Sequence, residues 1–132
     1  MDKIIKYGLI ILKNGKFLIN RKYNTKLFLM PGGKPEPNEK IEACLLRELQ
    51  EEHNLKLIKE SITHFGDFED MAANEPNTII SMKVYLAEVI GEPTPNQEIE
   101  EQRWFGREDN KDLLSPIIKN KILPLMLEKG II

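Results

Sequence analysis

The chain has 132 residues, of which 41% are hydrophobic and 30% charged, as in an ordinary globular protein. Its net charge of −2 gives no basic field for nucleic-acid binding, and the early apolar run at residues 9–12 is too short for a signal peptide or a membrane span. The single cysteine, Cys44, excludes an internal disulfide and suits a reducing compartment. We therefore expect one cytoplasmic domain over residues 1–132, without a nucleic-acid or membrane partner and with no indication of an oligomeric state.

The N-terminal third has the patterns of β-strands. Residues 3–12 and 16–21 are apolar and rich in β-branched side chains, and Asn14-Gly15 lies between them. An Asn-Gly pair between two such runs predicts a hairpin with a type I′ turn. Residues 27–30 predict a further short strand, which ends at Pro31.

A helix is predicted over residues 38–53, with Asn38 as its N-cap and Glu39 in its first turn. At about 100° per residue, one side of this helix carries an apolar stripe, and Arg47 and Gln50 lie toward the opposite side. The stripe consists of Ile41, Cys44, Leu45 and Leu49. Because Cys44 lies on it, we expect that residue to be a small core side chain.

Three acids lie on or near the apolar stripe of this helix. Glu48 and Glu52 project within or beside it, and Glu51 lies on its flank. A Glu-rich helix ordinarily has a solvated acidic face, but here two carboxylates share the side that packing should bury. Such burial costs several kcal/mol unless a cation or a hydrogen-bond donor compensates it. The pattern therefore favours a cation-binding site over a solvated surface.

The second half of the chain predicts mainly strands, at residues 55–68, 78–90 and 102–105, and then a final helix over residues 115–129. Ser115 and Pro116 suit the start of that helix, Gly130 its end, and Pro124 should kink or split it. The order of elements predicts an α+β protein in which a mixed β-sheet packs between helices.

One segment has a specific spacing of polar residues. Gly33 is followed after five residues by Glu39, and after seven more by Arg47-Glu48-Leu49, then Glu51-Glu52 and Leu55. This segment resembles the signature box of the Nudix (MutT-like) hydrolases. The box has a glycine where this chain has Asn54, and asparagine is the usual substitute for glycine in the left-handed residue after a helix.

The resemblance implies an α/β/α sandwich and hydrolysis of the pyrophosphate bond in a nucleoside diphosphate linked to another moiety. It implies Mg²⁺, with Mn²⁺ able to substitute, bound by Glu48, Glu51 and Glu52, whose i, i+3, i+4 spacing suits a cation that prefers oxygen ligands. Arg47 would orient these glutamates, or simply form a surface pair with Glu51. Glu39 would be a structural partner or outer metal contact, or a charge favoured by the helix dipole. Gly33, Glu39, Leu49 and Leu55 are the structural positions of the box.

The general base would come from the box or from a loop acid outside it. Glu98, Glu100 and Glu101 precede Trp104, and we favour Glu98 from its place in the loop, although at least one of the three should be a solvated charge. Two groups of residues are candidates for substrate phosphate: the backbone of Gly32 and Gly33, which also suits a tight turn, and the side chains of Arg21 and Lys22, which are otherwise surface charges.

The small size of the chain favours a nucleoside triphosphate, including oxidised ones, over ADP-ribose or a nucleotide sugar. Relatives that remove oxidised guanine nucleotides use an asparagine near the last helix, for which Asn110 and Asn120 are candidates. Phe65 and Phe68 would stack on a base or lie in the core. Two other functions stay open: a non-catalytic nucleotide-binding sensor, although such relatives usually lose box glutamates, and a structural domain with a static cation.

Overall fold

The computed structural model describes residues 1–132. The strands and helices, in chain order, are β1 Asp2–Ile10, β2 Leu12–Lys13, β3 Lys16–Lys22, β4 Gly32–Gly33, α1 Ile41–His53, β5 Lys56–Leu57, β6 Thr63–Met71, β7 Thr78–Leu86, β8 Val89–Ile90, β9 Ile99–Phe105 and α2 Leu123–Glu128. A π-helical turn, Ile118–Ile122, leads directly into α2. No helix is both long enough and apolar enough to cross a membrane.

The largest sheet has the strand order β4-β1-β7-β6 and is mixed, because β1 runs parallel to β7 and the other pairs are antiparallel. A second, antiparallel sheet has the order β2-β3-β9, and β5 pairs with β8. Successive side chains of a strand point to opposite faces. Leu9 therefore packs with Leu45 and Leu49 of α1, while Ile10 packs with Ile118 before α2. This arrangement confirms the expected α+β sandwich.

The predicted hairpin is present. Leu12 lies opposite Phe17 and Lys13 opposite Lys16. The two turn residues, Asn14 and Gly15, have φ angles of 52° and 76°. Positive φ at both central residues is the requirement of a type I′ turn, which matches the twist of the flanking strands.

The predicted start of the first helix is wrong by three residues. Asn38 has a φ of 65° and lies in a turn, and α1 begins at Ile41, with Lys40 as an N-cap that makes no side-chain hydrogen bond. The turn closes on itself: the Glu39 N–H donates to the Glu36 carbonyl, and the Glu36 N–H donates to the Glu39 carboxylate. Glu39 is therefore outside the helix.

The other boundaries differ where a segment changes partner. The strand predicted over residues 78–90 breaks after Leu86, because β7 pairs with β6 whereas β8 pairs with β5. Residues 27–30 form only isolated bridges, to Asn20 and Leu114. The final helix splits at Pro124 into the π-helical turn and α2, as Pro124 predicts. Ser115 accepts the Lys119 N–H through its carbonyl, but its hydroxyl does not cap the helix and makes no hydrogen bond.

Candidate active site

The acids of α1 differ in exposure in the order that helical geometry predicts. Cys44, Leu45 and Leu49 are fully buried against the sheet, and Glu52 is buried beside them. The Glu48 side chain is 13% exposed and that of Glu51 41% exposed. Two carboxylates therefore lie on the packed side of the helix, and the third lies on its flank.

Arg47 joins the acids of this segment and does not point away from them. Its guanidinium donates to both oxygens of Glu39 at 2.9 Å and to Glu48 at 2.9 Å, and it lies 3.5 Å from Glu51. A two-pronged bond of this kind fixes orientation as well as charge. The hydrogen bonds from Arg47 lower the pKa of Glu39 to about 2, so Glu39 is a permanently charged partner that holds Arg47 against the helix. The role of Arg47 thus goes beyond an i, i+4 pair with Glu51.

The two glycines of β4 are required by close packing. Gly33 pairs with Tyr7 and Gly32 with Gly8 of β1. A Cβ at Gly33 would lie 2.5 Å from the Glu48 carboxylate, and one at Gly32, where φ is 131°, would collide with the Tyr7 carbonyl. The absence of side chains here lets the strand approach both β1 and the Glu48 carboxylate.

A cavity of about 250 Å³ opens between α1, β1 and the segment before α2. Acids, lysines and apolar side chains line it together. The acids are Glu48, Glu52, Glu75 and Glu98, the lysines are Lys6, Lys22 and Lys34, and the apolar residues include Leu29, Met30, Ile80, Met82 and Ile117; Gly32, Gly33, Asn20 and Ser115 complete the wall. The cavity combines charged and apolar surfaces, as a site for a charged organic molecule requires.

Glu52 and Glu98 form a carboxyl pair inside this cavity. Burial, followed by the hydrogen bond that protonated Glu52 donates to Glu98 and by repulsion from Glu48, raises the pKa of Glu52 to about 8. The hydrogen bond with Glu52 lowers the pKa of Glu98. Lys22, 3.5 Å away, also favours the charged form of Glu98. The pair therefore holds one proton near neutral pH, on Glu52, and Glu98 is ionised.

The loop that carries Glu98 is held to the end of α1. The Thr94 N–H donates to the His53 carbonyl at 3.0 Å, and the Asn96 N–H donates to the Glu52 carbonyl at 3.1 Å. Asn54 has the left-handed conformation expected after the helix, and its side-chain amide donates to the Thr94 hydroxyl at 2.7 Å. These bonds place Glu98 opposite Glu52.

A buried polar network lies behind the acids. The His53 ring is hydrogen bonded to the side-chain amides of Asn20 on β3 and Gln102 on β9. Burial lowers the pKa of His53 to about 4, so the ring is neutral at physiological pH. The network ties α1 to the second sheet and adds no charge to the cavity.

Arg21 does not line the cavity, and acids of β9 take up its charge. Its guanidinium lies 2.7 Å from Glu100 and 3.3 Å from Glu101 and donates to the Thr25 carbonyl. Arg21 thus holds Glu100 and Glu101. Of the three acids, Glu98 is the one that lines the cavity.

Other candidates also lie outside the cavity. Phe65 is buried in the core and Phe68 packs against it, so both are core residues. Asn110 caps a short 3₁₀ turn, and the Asn120 side chain donates to Asp70.

The cavity residues that escape prediction from sequence include Lys6, Lys34 and Ser115. A signal exists for Lys6, which is the one charge between Ile4 and Ile11 in an otherwise uncharged strand pattern. Ser115 has the sequence of a helix cap, and only the fold shows that its buried hydroxyl lacks a partner and lines the cavity.

The acids fit a divalent cation through the chemistry of their oxygens. No three His, Cys, Asp or Glu side chains are close enough together to hold a metal ion, and Arg47 bonds to Glu48 and Glu51. Glu48 and Glu52 nevertheless line one cavity, and burial raises the pKa of both. A bound cation would relieve this crowding of buried acids, and Glu51 is one turn away from Glu48 on the flank.

Several solved structures share the fold of this chain. The structure resembles the ORF135 protein of E. coli (TM-score 0.74, 22% identity, 98% of this chain and 93% of that one) and the MutT protein of Methanosarcina mazei Go1 (0.77, 19%, 97% and 96%). It also resembles a MutT NUDIX hydrolase of Burkholderia pseudomallei (0.73, 24%, 95% and 97%).

The NUDIX domain model matches residues 5–126, and the chain belongs to that family. A comparison with curated proteins finds no match. The family confirms the enzyme class expected from the signature box, a Nudix pyrophosphohydrolase.

Proposed function

We propose that this protein is a Mg²⁺-dependent pyrophosphohydrolase of nucleoside triphosphates, in which Mn²⁺ can replace Mg²⁺. The observation that carries the proposal is the pair formed by buried Glu52 and exposed Glu98 beside Glu48, in a cavity that lysines also line. We place this activity in one domain over residues 1–132. The single cysteine, which is free and buried, suits the reducing cytoplasm.

Glu48, Glu51 and Glu52 would hold the divalent cation. When bound, the cation neutralises phosphoryl oxygens and lowers the pKa of a coordinated water. Arg47 keeps Glu48 in place through a hydrogen bond of 2.9 Å. Gly33 keeps the space beside the Glu48 carboxylate free of a side chain, and it brings backbone close to the cavity together with Gly32.

Glu98 is the proposed general base. Its pKa is lowered by the hydrogen bond with Glu52 and by Lys22, and Lys22 still favours its negative charge when the cation displaces the proton of Glu52. An ionised carboxylate on the cavity wall can accept the proton of the attacking water, and Lys22 can contact the phosphate chain. The box acids stay as the alternative base, and Glu98→Gln separates the two: it should lower kcat at least about 100-fold if Glu98 is the base.

The organic part of the substrate would lie on the apolar wall formed by Leu29, Met30, Ile80, Met82 and Ile117. These side chains suit the face of a nucleobase, and the unpartnered Ser115 hydroxyl offers one polar contact. Asn110 and Asn120 are outside the cavity, so no observation favours an oxidised over an ordinary base.

The alternative function is that of a nucleotide-binding sensor without catalysis. A panel of nucleoside triphosphates, ADP-ribose and nucleotide sugars, tested with Mg²⁺ and Mn²⁺, separates the two. We expect a triphosphate to give a nucleoside monophosphate and pyrophosphate. Tight binding of one compound with no cleavage of any would support the sensor and contradict the proposal; cleavage confined to ADP-ribose would contradict only the substrate class.

A further inference from the structure

Lys6 enters the cavity from the face of β1 that otherwise packs in the core. Ile4, Lys6, Gly8 and Ile10 share this face, because alternate residues of a strand do. Ile10 is fully buried in the core cluster, and a Cβ at Gly8 would lie 2.7 Å from the Met82 sulfur. The Met82 and Met30 side chains therefore pack closely against the strand at Gly8, and Lys6 lines the cavity beside them.

The Lys6 ammonium has no protein partner. None of the ion pairs within 4.0 Å and none of the side-chain hydrogen bonds involves it, although the residue is half-buried. Burial is the main cause that lowers its pKa, and Lys22 and Lys34 add to this effect, while Glu75 and Glu52 oppose it. An unpaired, half-buried charge is costly, so this ammonium is suited to an anion that arrives from solution.

The three lysines of the cavity reach it from separate parts of the chain. Lys6 lies on β1, Lys22 at the end of β3, and Lys34 follows β4. Of the three, Lys22 has an acid within ion-pair distance, Glu98, and Lys6 and Lys34 have none. If a divalent cation takes up the charge of Glu48 and Glu52, the acids of the cavity that remain for the three lysines are Glu75 and Glu98, and Glu98 is already paired with Lys22.

The charge of the phosphate chain decides which substrate would supply that compensation. A terminal phosphoryl group carries a charge of about −1.5 to −2 at neutral pH. A nucleoside triphosphate has such a group, whereas a diphosphate bridge between two organic moieties has none. A cluster of lysines, which are compact charges, is suited to the terminal group.

We propose that Lys6 is a substrate-binding residue that holds the terminal phosphoryl group of a triphosphate and makes the site prefer triphosphates to sugar-linked diphosphates. The preference rests on the proposed function, whereas anion binding by Lys6 does not. The two are therefore measured separately, first with an inorganic anion and then with substrates.

Binding is measured by isothermal titration of inorganic triphosphate with Mg²⁺ present. Lys6→Met keeps the length and apolar stem of the side chain, Lys6→Arg keeps the charge, and Lys56→Met is the matched control at an exposed lysine of β5. We expect Lys6→Met to weaken binding about 10- to 100-fold, the value of one charge-assisted hydrogen bond, with Lys6→Arg much closer to wild type and Lys56→Met unchanged.

Thermal melting tests whether the variant is folded. Loss of an unpaired half-buried charge should not lower the Tm of free Lys6→Met, but it should shrink the increase in Tm that triphosphate causes.

With substrates, the ratio of kcat/KM for a triphosphate over ADP-ribose should fall in Lys6→Met. Equal triphosphate affinity of Lys6→Met and wild type, an equal loss in Lys56→Met, or no binding by wild type would each overturn the role of Lys6. Failure of all hydrolysis would overturn the proposed function and leave the binding result valid.

Discussion

Without a divalent cation, the protein should become less stable as the pH rises through neutrality, because Glu52 keeps a proton in the folded state that it loses on unfolding. Its folded pKa is about 8 and the unfolded value is about 4.3. A group whose folded pKa is raised contributes stability below the unfolded value and loses that contribution as the pH rises to the folded value. Glu52 alone therefore gives a decline between about pH 4.3 and 8.

His53 opposes this decline in the free energy of unfolding over the lower part of the pH range. Its folded pKa is about 4 and its unfolded value about 6.5, so it makes stability rise with pH between those values and offsets Glu52 there. Above about pH 6.5 only the Glu52 effect remains. From pH 6.5 to 8 it corresponds to about 2 kcal/mol, at 1.36 kcal/mol per pH unit.

Urea unfolding in EDTA, followed by the fluorescence of the single tryptophan, Trp104, measures this effect. Glu52→Gln should flatten the dependence, since the amide does not titrate, whereas Glu42→Gln, at an exposed acid of the same helix, should keep it. Saturating Mg²⁺ should also remove it in wild type by displacing the proton. A wild-type free energy of unfolding that is the same at pH 6.5 and 8, or an unchanged slope in Glu52→Gln, would refute the reasoning.

Two further predictions concern the residues that frame the acids. Gly33→Ala should leave the fold intact but weaken Mg²⁺ binding at least about tenfold, because the new Cβ forces Glu48 to move; calorimetric titration checks this, and wild-type affinity would contradict it. Asn54→Gly should be close to wild type in urea unfolding, whereas Asn54→Ala should lose about 1–2 kcal/mol, because a Cβ is unfavourable at the left-handed φ of 56° and asparagine alone offsets this locally. Equal stability of the two Asn54 variants would show that the left-handed conformation is not the reason for asparagine here.

The parts of the fold that depend on local pattern could be predicted from sequence. The turn at Asn14-Gly15 needs positive φ at two adjacent residues, and few other dipeptides supply it. The burial of Leu45, Leu49 and Glu52 follows from helical periodicity alone. These features depend on residues close together in the chain, so their spacing carries the information.

The differences between prediction and structure come from contacts between distant residues or from competing local bonds. Asn38 has the composition of a helix cap, but the mutual hydrogen bonds of Glu36 and Glu39 hold it in a turn before the helix. Arg21 is adjacent in sequence to Lys22, yet the strand alternation turns it toward Glu100 and Glu101 on β9. No local signal at either position reports these partners.

Beside Gly32, Gly33 and Lys22, the site was predictable in its carboxylates. Their spacing in α1 identifies Glu48 and Glu52, but the lysine wall comes from three segments that the sheet brings together. Ser115 illustrates the same limit, because its sequence is that of a helix cap, whereas in the fold the residue lines the cavity and its buried hydroxyl has no hydrogen-bond partner. Side chains that meet through topology are not visible in any single stretch of sequence.

The most direct test of the account compares turnover of the best triphosphate substrate by wild type, Glu52→Gln and the control Glu42→Gln at saturating Mg²⁺, with each variant shown to be folded. Because the carboxylate of Glu52 lies in the cavity and that of Glu42 lies in solvent, we predict a loss of at least about 100-fold for the first and none for the second. Turnover by Glu52→Gln equal to that of wild type would contradict the claim that the buried acids of α1 hold the catalytic cation.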